Sequence, residues 1–462
     1  MSLKMDGLFR TGRTLLTNLT NRVGWCQKEQ RCIRFYCSLH AKRNRLSRHF
    51  QSVNLRTDVT ALEEIKCKSQ RLMLLAGLIS PANPGCYYYM PYTLRAMEKL
   101  IKVIDKEMHA IGGQKVNMPT LNSAALWRAS GRWDLIGSEL LRLRDRHGQE
   151  YCLGPTHEEA ITNLIASQGC LSYKQLPVLL YQVTRKFRDE PKPCFGLLRG
   201  REFYMKDLYT FDATQEAALQ TYDLVCSAYC KVFRNLGLPF VKVRAAAGNI
   251  GGTLSHEFQL PAEIGEDMLL MCQGCDFSAN MEMMDSKEGQ CPVCQGKLME
   301  KKGIEVGHTF LLGTKYSSVF KANVRNSQNE LALAEMGCYG LGVSRILAAA
   351  IEVLSPEDAI RWPNLIAPYQ ICLIPPKKGS KEDKGAVLLE DLYDCIAEAV
   401  PDIQEELVLD DRTDLTIGKR LKDANKLGYP YVIICGKKIL DEPPLFEIQN
   451  QSTEPQEWCD HS

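Results

Sequence analysis

The run "RKFRDEPKPCFGLLRGREFYMKDLYTFD" (185–212) constrains the fold more than any other stretch of the chain. A strand-like run that begins near Val178 leads into it, and a second, of bulky alternating residues, follows Phe203. Between them lie Pro191, Pro193, Gly196 and Gly200. Prolines lack a ladder donor and glycines open left-handed backbone, so this loop turns the chain and cannot carry a crossover helix. Strands joined in this way pair antiparallel, because a parallel crossover usually runs through a helix. The same conclusion holds over residues 92–236, where strands and helices interleave without a regular βαβ count, the mark of an α+β domain.

The elements around this hairpin follow from local pattern. Leu94, Met97, Ile101, Ile104, Met108 and Ile111 recur at three- and four-residue steps, giving one helix face that Gly112 and Gly113 terminate. "KVNMPTL" reads as a short strand broken at Pro119, which places it at a sheet edge. Strand-like runs at 151–153 and 178–183 flank "GPTHEEAITNLIASQ", a turn entering a helix, and a further helix spans 214–236. Past "RWPNLIAPYQ" the pattern becomes regular: "YQICLIPP", a helix near 384–399, "EELVLDD", a helix near 416–427 and "PYVIICG". This predicts a small α/β domain on parallel strands.

Charge is distributed unevenly. Residues 1–50 hold eleven Lys and Arg against Asp6 and Glu29, whereas the remainder holds 46 basic and 53 acidic side chains. An Arg-rich, acid-poor leader reads as a mitochondrial transit peptide, with a basic arm touching RNA or membrane as the alternative. No stretch reaches the roughly 20 apolar residues of a membrane span. The 19 cysteines are scattered through helical and strand-like runs of a long chain, which points to reduced thiols rather than a disulfide framework. Four of them are different. Cys272-x₂-Cys275, fifteen residues and Cys291-x₂-Cys294 have the spacing of a tetrahedral zinc site, although four small apolar thiols without metal fit the same residues.

Two clusters suit a nucleotide. Arg188 and Glu190, two apart, share a face if they lie on a strand, and Arg199 and Phe203 follow across the loop. Guanidiniums recognise phosphate, a carboxylate accepts from an adenine amino group, and an aromatic ring stacks on a base. Read alone, the segment serves equally as a salt-bridged surface hairpin. In "EMGCYGLGVSRILAAAIE", Gly337, Gly340 and Gly342 permit close backbone approach, and Arg345 starts a helix whose positive end favours phosphate.

In order, Arg188-Asp-Glu190, Arg199-x-x-x-Phe203 and Gly-x-Gly with Arg345 resemble motifs two and three of the class II aminoacyl-tRNA synthetases. "GGQKVNMPTL" resembles their motif one, the dimer-interface segment. "RLMLLAGLISPANPGCYYYMP", "LWRASGRWDLIGSELLRLRDRHGQEYCLGPTHEE", "GIEVGHTFLLGTKYS" and "LDDRTDLTIGKRLKDANKLGYP" narrow the resemblance to the bacterial-type prolyl branch. The resemblance implies a class II antiparallel-sheet catalytic domain over 51–362 and an anticodon-binding domain over 368–448. It also implies a reaction in which L-proline and ATP form prolyl-adenylate, and the prolyl group passes to the 3′ end of tRNA(Pro). Arg188 would bridge the α-phosphate and the substrate carboxylate, Glu190 read the adenine amino group, and Phe203 stack on the ring. Arg199 would take the γ-phosphate and Arg345 cover the nucleotide from the other side. Thr156 and Glu158, with His308, would hold proline, although "THEE" also suits an ordinary acidic helix N-terminus. Arg412, Lys419 and Arg420 would face tRNA. Mg²⁺, a homodimer and, with the leader, a mitochondrial matrix location complete the implication. The alternative is a non-catalytic class II-like accessory protein that binds nucleic acid.

The chain departs from this family in three places. Phe203 and Arg345 stand 142 residues apart, which leaves no room for the editing domain of many bacterial relatives. The thiol pairs lie close to where that domain is inserted, and bacterial relatives generally lack them. The polar, aperiodic residues 449–462 read as a disordered tail that leaves the terminal domain without an edge strand.

Overall fold

Helix α1, Pro91–Ala110, shows how pattern becomes architecture. Pro91 opens it at a position where the missing N–H costs nothing, and Gly112 at φ 83° stops it. Ala96, Met97, Leu100, Ile104 and Met108 are buried along one stripe. The structure, a computed structural model of the 462-residue chain, describes residues 43–50 and 64–451 except 249, 276, 284–289 and 327.

The stripe packs onto a nine-stranded sheet. In chain order its strands are β1 (Gln114–Lys115), β2 (Val178–Phe187), β3 (Glu202–Asp212), β4 (Val241–Arg244) and β5 (Leu254–Pro261). Then come β6 (Asp267–Cys272), β7 (Ser278–Asn280), β8 (Leu298–Gly313) and β9 (Glu335–Gly342). Their spatial order is β5-β4-β7-β6-β8-β9-β3-β2-β1, and the central β8-β9-β3-β2 are all antiparallel. The antiparallel α+β reading therefore holds. β1 lies at one edge and pairs parallel to β2, but it is shorter than the strand expected over 115–121 and Pro119 falls outside it.

Strand alternation sorts the two faces. Leu208, Tyr339 and Leu341 point into the larger core beneath α1, α3 (Gln215–Asn235) and α4 (Val343–Leu354). Tyr209, Phe211, Met336 and Cys338 point into a second core beside Ile161 and Ile165 of α2 (Glu158–Ser167). Phe203, Met205 and Asp207 share the odd-numbered face of β3 with Tyr209, so the cavity described below opens on that side.

The C-terminal part carries β10 (Ile371–Ile374), β11 (Leu407–Leu409), β12 (Tyr431–Ile434) and β13 (Glu447–Asn450), with helices α5 (Ala386–Ala399) and α6 (Ile417–Leu427). The first three strands run parallel in the order β11-β10-β12. Two expectations need correction here. Gln449 and Asn450 belong to β13, which pairs antiparallel with β12 and supplies the edge strand that the aperiodic sequence seemed to lack. Their backbone pairs regardless of polar side chains, because one face of an edge strand meets water. The rest of the expected tail, from 452, lies outside the described residues. At the other end, Ser47 bonds the Asp411 carboxylate through its N–H at 2.9 Å and its hydroxyl at 2.6 Å, and His49 stacks on Tyr369. Residues 45–49 of the expected leader thus pack on the folded body, and its residues 1–42 lie outside those described.

Candidate active site

Five of the residues singled out in the sequence line one cavity of about 350 Å³: Thr156, Arg188, Phe203, His308 and Arg345. They come from five separate segments, so only the fold brings them together. β2 ends at Phe187, which leaves Arg188 and Glu190 beyond the strand and removes the shared-face argument. The backbone holds Arg188 instead: its N–H donates to Arg201 O at 2.9 Å, and the next N–H, of Asp189, donates to Glu139 O at 2.8 Å. The Arg188 guanidinium stands 5.3 Å over the Phe203 ring.

Arg345 enters from the first turn of α4. It donates from Nε to Leu198 O at 2.8 Å and from Nη1 to both the carbonyl (3.0 Å) and the carboxylate (3.2 Å) of Glu305. Gly340 and Gly342 line the cavity without side chains, as close ligand approach requires. Gly337 has another purpose, since a Cβ there would lie 2.2 Å from the Tyr339 hydroxyl.

Glu305 and His308 are three apart on β8, a spacing that normally sends side chains to opposite faces. A register shift at Phe258/Gln259 pairs Phe258 with Gly307 and Gln259 with Glu305, leaving Val306 as the extra residue. This bulge restores the parity. His308 Nδ1 then lies 3.1 Å from Glu305, and its Nε2 lies 2.7 Å from Ser255 Oγ. Glu257, in register with His308 across the ladder, completes a group whose donor atoms lie within 4.8 Å of one another. Burial opposes ionisation of Glu305, but the His308 hydrogen bond and the Arg345 charge prevail and hold its carboxyl down at about 2. Burial and the Glu305 charge push Glu257 up. Carboxylate oxygens that close suit a hard divalent cation.

Three predicted residues lie off the cavity wall. Glu190 and Arg199 pair with each other at 3.0 Å, and Arg199 also meets Glu266 at 2.6 Å. Glu158 is fully buried one layer behind Thr156, whose hydroxyl donates to it at 2.7 Å. Burial disfavours its charge, yet Arg132 at 2.8 Å keeps the carboxylate ionised.

Apart from Glu158, sequence reasoning missed this buried layer. Lys186 bridges Asp207 (2.9 Å) and His157 Nδ1 (2.7 Å), Tyr209 donates to Asp207 at 2.9 Å, and Arg132 pairs with Glu158 and Glu159. Alternation along β2 and β3 placed Lys186 and Asp207 inward, but inward charge reads as a surface face until its partners are known.

Of the three proposed RNA contacts, Arg412 and Lys419 are on the surface, engaged with Asp410 and Asp423. Arg420 is fully buried and donates to Asp410 O at 3.1 Å and Pro375 O at 2.6 Å. It cannot reach a ligand, because its guanidinium satisfies carbonyls at the ends of β10 and β11. That corrects the expectation.

Residues 141–354 match the model of the tRNA synthetase class II core domain (G, H, P, S and T), and residues 370–457 match that of the anticodon binding domain. The chain is 63% identical over 458 residues to a probable mitochondrial proline–tRNA ligase of Rattus norvegicus, covering 97% of this chain and 96% of that protein. It is 69% identical over 413 residues to the corresponding Homo sapiens protein, covering 88% and 87%. Its fold is similar to that of the Giardia lamblia prolyl-tRNA synthetase solved with prolyl-adenylate (TM-score 0.70, 19% identity, covering 85% of this chain and 73% of that one). With Arg188, Phe203, Arg345 and Thr156 gathered at one cavity on an antiparallel sheet, the chain belongs to the proline–tRNA ligases, a branch of the class II aminoacyl-tRNA synthetases.

Proposed function

We propose that this enzyme charges tRNA(Pro) with L-proline in the mitochondrial matrix, by two displacements at the cavity described above. In the first, a proline carboxylate oxygen attacks the α-phosphorus of ATP, the bond to the β-phosphate oxygen breaks, and pyrophosphate leaves. In the second, a hydroxyl of the terminal ribose attacks the prolyl carbonyl and passes its proton to a phosphate oxygen, and AMP leaves with the electrons of the broken acyl–oxygen bond. The single observation that carries this reading is the convergence of Arg188, Phe203, Arg345 and Thr156 on one cavity.

No side chain there needs to form a bond to substrate. Arg188 and Arg345 hold negative charge where it builds during the attack, and the Phe203 ring offers a face for adenine. Thr156 commits its proton to Glu158, so its oxygen lone pairs remain to accept from a secondary ammonium, with the Glu158 charge directly behind. Glu190 and Arg199, paired with each other beside the cavity, take the adenine edge and the γ-phosphate once a nucleotide separates them. Glu257 and Glu305, with His308, are the residues that would hold Mg²⁺. Held there, the ion would supply charge neutralisation for the phosphates.

Arg412 and Lys419 contact the tRNA, the segment from Gly112 to Leu121 forms the homodimer contact, and the 142 residues between Phe203 and Arg345 leave no room for a cis-editing domain. The Arg-rich, acid-poor composition of residues 1–50 and the names of the relatives support the matrix location. Among the described residues no helix is long and apolar enough to cross a membrane. The test is transfer of radiolabelled proline to acid-precipitable tRNA(Pro) by the purified chain. ATP-dependent charging is the expected result, and none with folded protein and intact tRNA would refute the reading.

A further inference from the structure

We propose that Cys272, Cys275, Cys291 and Cys294 bind one Zn²⁺ in a closed four-thiolate site that staples the outer end of the β6–β8 pair. The four sulfurs lie within 4.8 Å of one another, with Cys272–Cys294 at 3.3 Å and Cys275–Cys291 at 3.5 Å. A tetrahedron of Zn–S bonds of about 2.3 Å has edges of about 3.8 Å, so no sulfur–sulfur separation needs to change by more than about 1 Å to receive the ion. A disulfide needs about 2.05 Å between sulfurs, and neither pair is bonded.

The backbone around the thiols is arranged for thiolate. The N–H groups of Gly274, Val293 and Gly296 donate to Cys272 Sγ (3.2 Å), Cys291 Sγ (3.4 Å) and Cys294 Sγ (3.4 Å), each from two residues further along. Three such donors offset negative charge on sulfur, as a four-thiolate site carrying net charge requires. A Cβ at Gly296 would crowd both Cys272 and Cys294 Sγ at 3.2 Å, so a side chain there would push the thiols apart by tenths of an ångström. Two turns of the chain thus present paired thiols to one point. All four positions are protein ligands, so the site has no open coordination place and its role is structural.

Packing does not account for the arrangement. None of the four cysteines belongs to any apolar cluster among the described residues, although Cys291 is buried. Cys272 closes β6 and is in register with Leu298, the first residue of β8. The same β8 carries Glu305 and His308 further along, so a fixed outer end also fixes the register in which the bulge presents them.

The experiment uses the full chain purified under reducing conditions. Elemental analysis is expected to give about one zinc per chain, released by a thiol-blocking organomercurial. Growth with Co²⁺ is expected to yield the strong sulfur-to-cobalt charge-transfer and visible bands of a tetrahedral thiolate site, in wild type but not in the C291S/C294S variant. Glu305→Gln, at the other metal-ligating group, should retain the zinc. Under hydrogen exchange, zinc removal is expected to expose the amides of residues 298–302 while leaving those of β2 protected. If the variant fails to fold, the cobalt spectrum of the wild type decides. Below about one zinc per ten chains together with no thiolate–cobalt bands would overturn the proposal.

Discussion

Arg345 touches three groups that define the cavity wall, and its effect should separate from folding. Arg345→Ala is expected to slow pyrophosphate exchange by about 100-fold or more while the chain still melts cooperatively, because the residue acts on developing charge rather than on the core. An exchange rate equal to wild type would contradict its placement. His157 makes the complementary case for the buried layer. Its Nε2–H donates to Pro119 O at 3.0 Å and its Nδ1 accepts from the Lys186 ammonium at 2.7 Å, so a second ring proton has no acceptor. Burial, then the Lys186 charge, lowers its pKa to about 4. The unfolded chain binds that proton near pH 6.5, so folding stability is retained above this pH and falls as pH drops from 6.5 towards 4, by about 3 kcal/mol. Denaturant titrations across this range should be flatter for His157→Gln, and an unchanged slope would remove His157 from the account. Residue types and spacing singled out Arg188, Phe203 and Arg345, the family resemblance added Thr156 and His308, and all five line the cavity. Neither sufficed for Arg132, Lys186 and Asp207, whose meaning comes from partners distant in sequence, nor for Arg420, whose charge looked solvated until its carbonyl acceptors were seen.

Elements with a strong period were legible from the sequence alone. α1 and α3 follow their apolar stripes, and the parallel strands of the C-terminal part follow their continuous β-branched runs. What escaped was anything that depends on register. The bulge at Val306 is the clearest case, because an extra residue in one strand leaves no local mark in the sequence yet decides whether Glu305 and His308 share a face. The strand β13 escaped for a different reason: "EIQN" has little β-propensity, and its pairing derives from the exposed edge of β12. Ending the chain after Phe446 should therefore speed exchange of the Tyr431–Ile434 amides and lower the melting temperature. Exchange at those amides as slow as in the full chain would show that β13 contributes nothing to the edge.

At the scale of the whole molecule, the sequence suggested two domains and the structure joins them. Tyr92 of α1 bonds Tyr429 through their hydroxyls at 2.7 Å, Arg95 and Lys99 both pair with Glu406, and one apolar cluster runs from Ile104 and Leu347 to Cys372 and Val432. Calorimetry should then show a single main transition for the two parts, with two well-separated transitions as the contrary result. The antiparallel sheet, the motif residues and the family were legible because each rests on short-range sequence; the continuity of the core was not, because it is built from contacts hundreds of residues apart. The central claim is that this sheet and cavity activate proline. Exchange of labelled pyrophosphate into ATP, measured with each of the standard amino acids in turn, tests it most directly. Exchange should depend on proline and exceed that with every other amino acid, including alanine, by at least about tenfold, since pocket contacts with a few methylenes give that much selectivity. No exchange with proline, or faster exchange with another amino acid, would contradict the account.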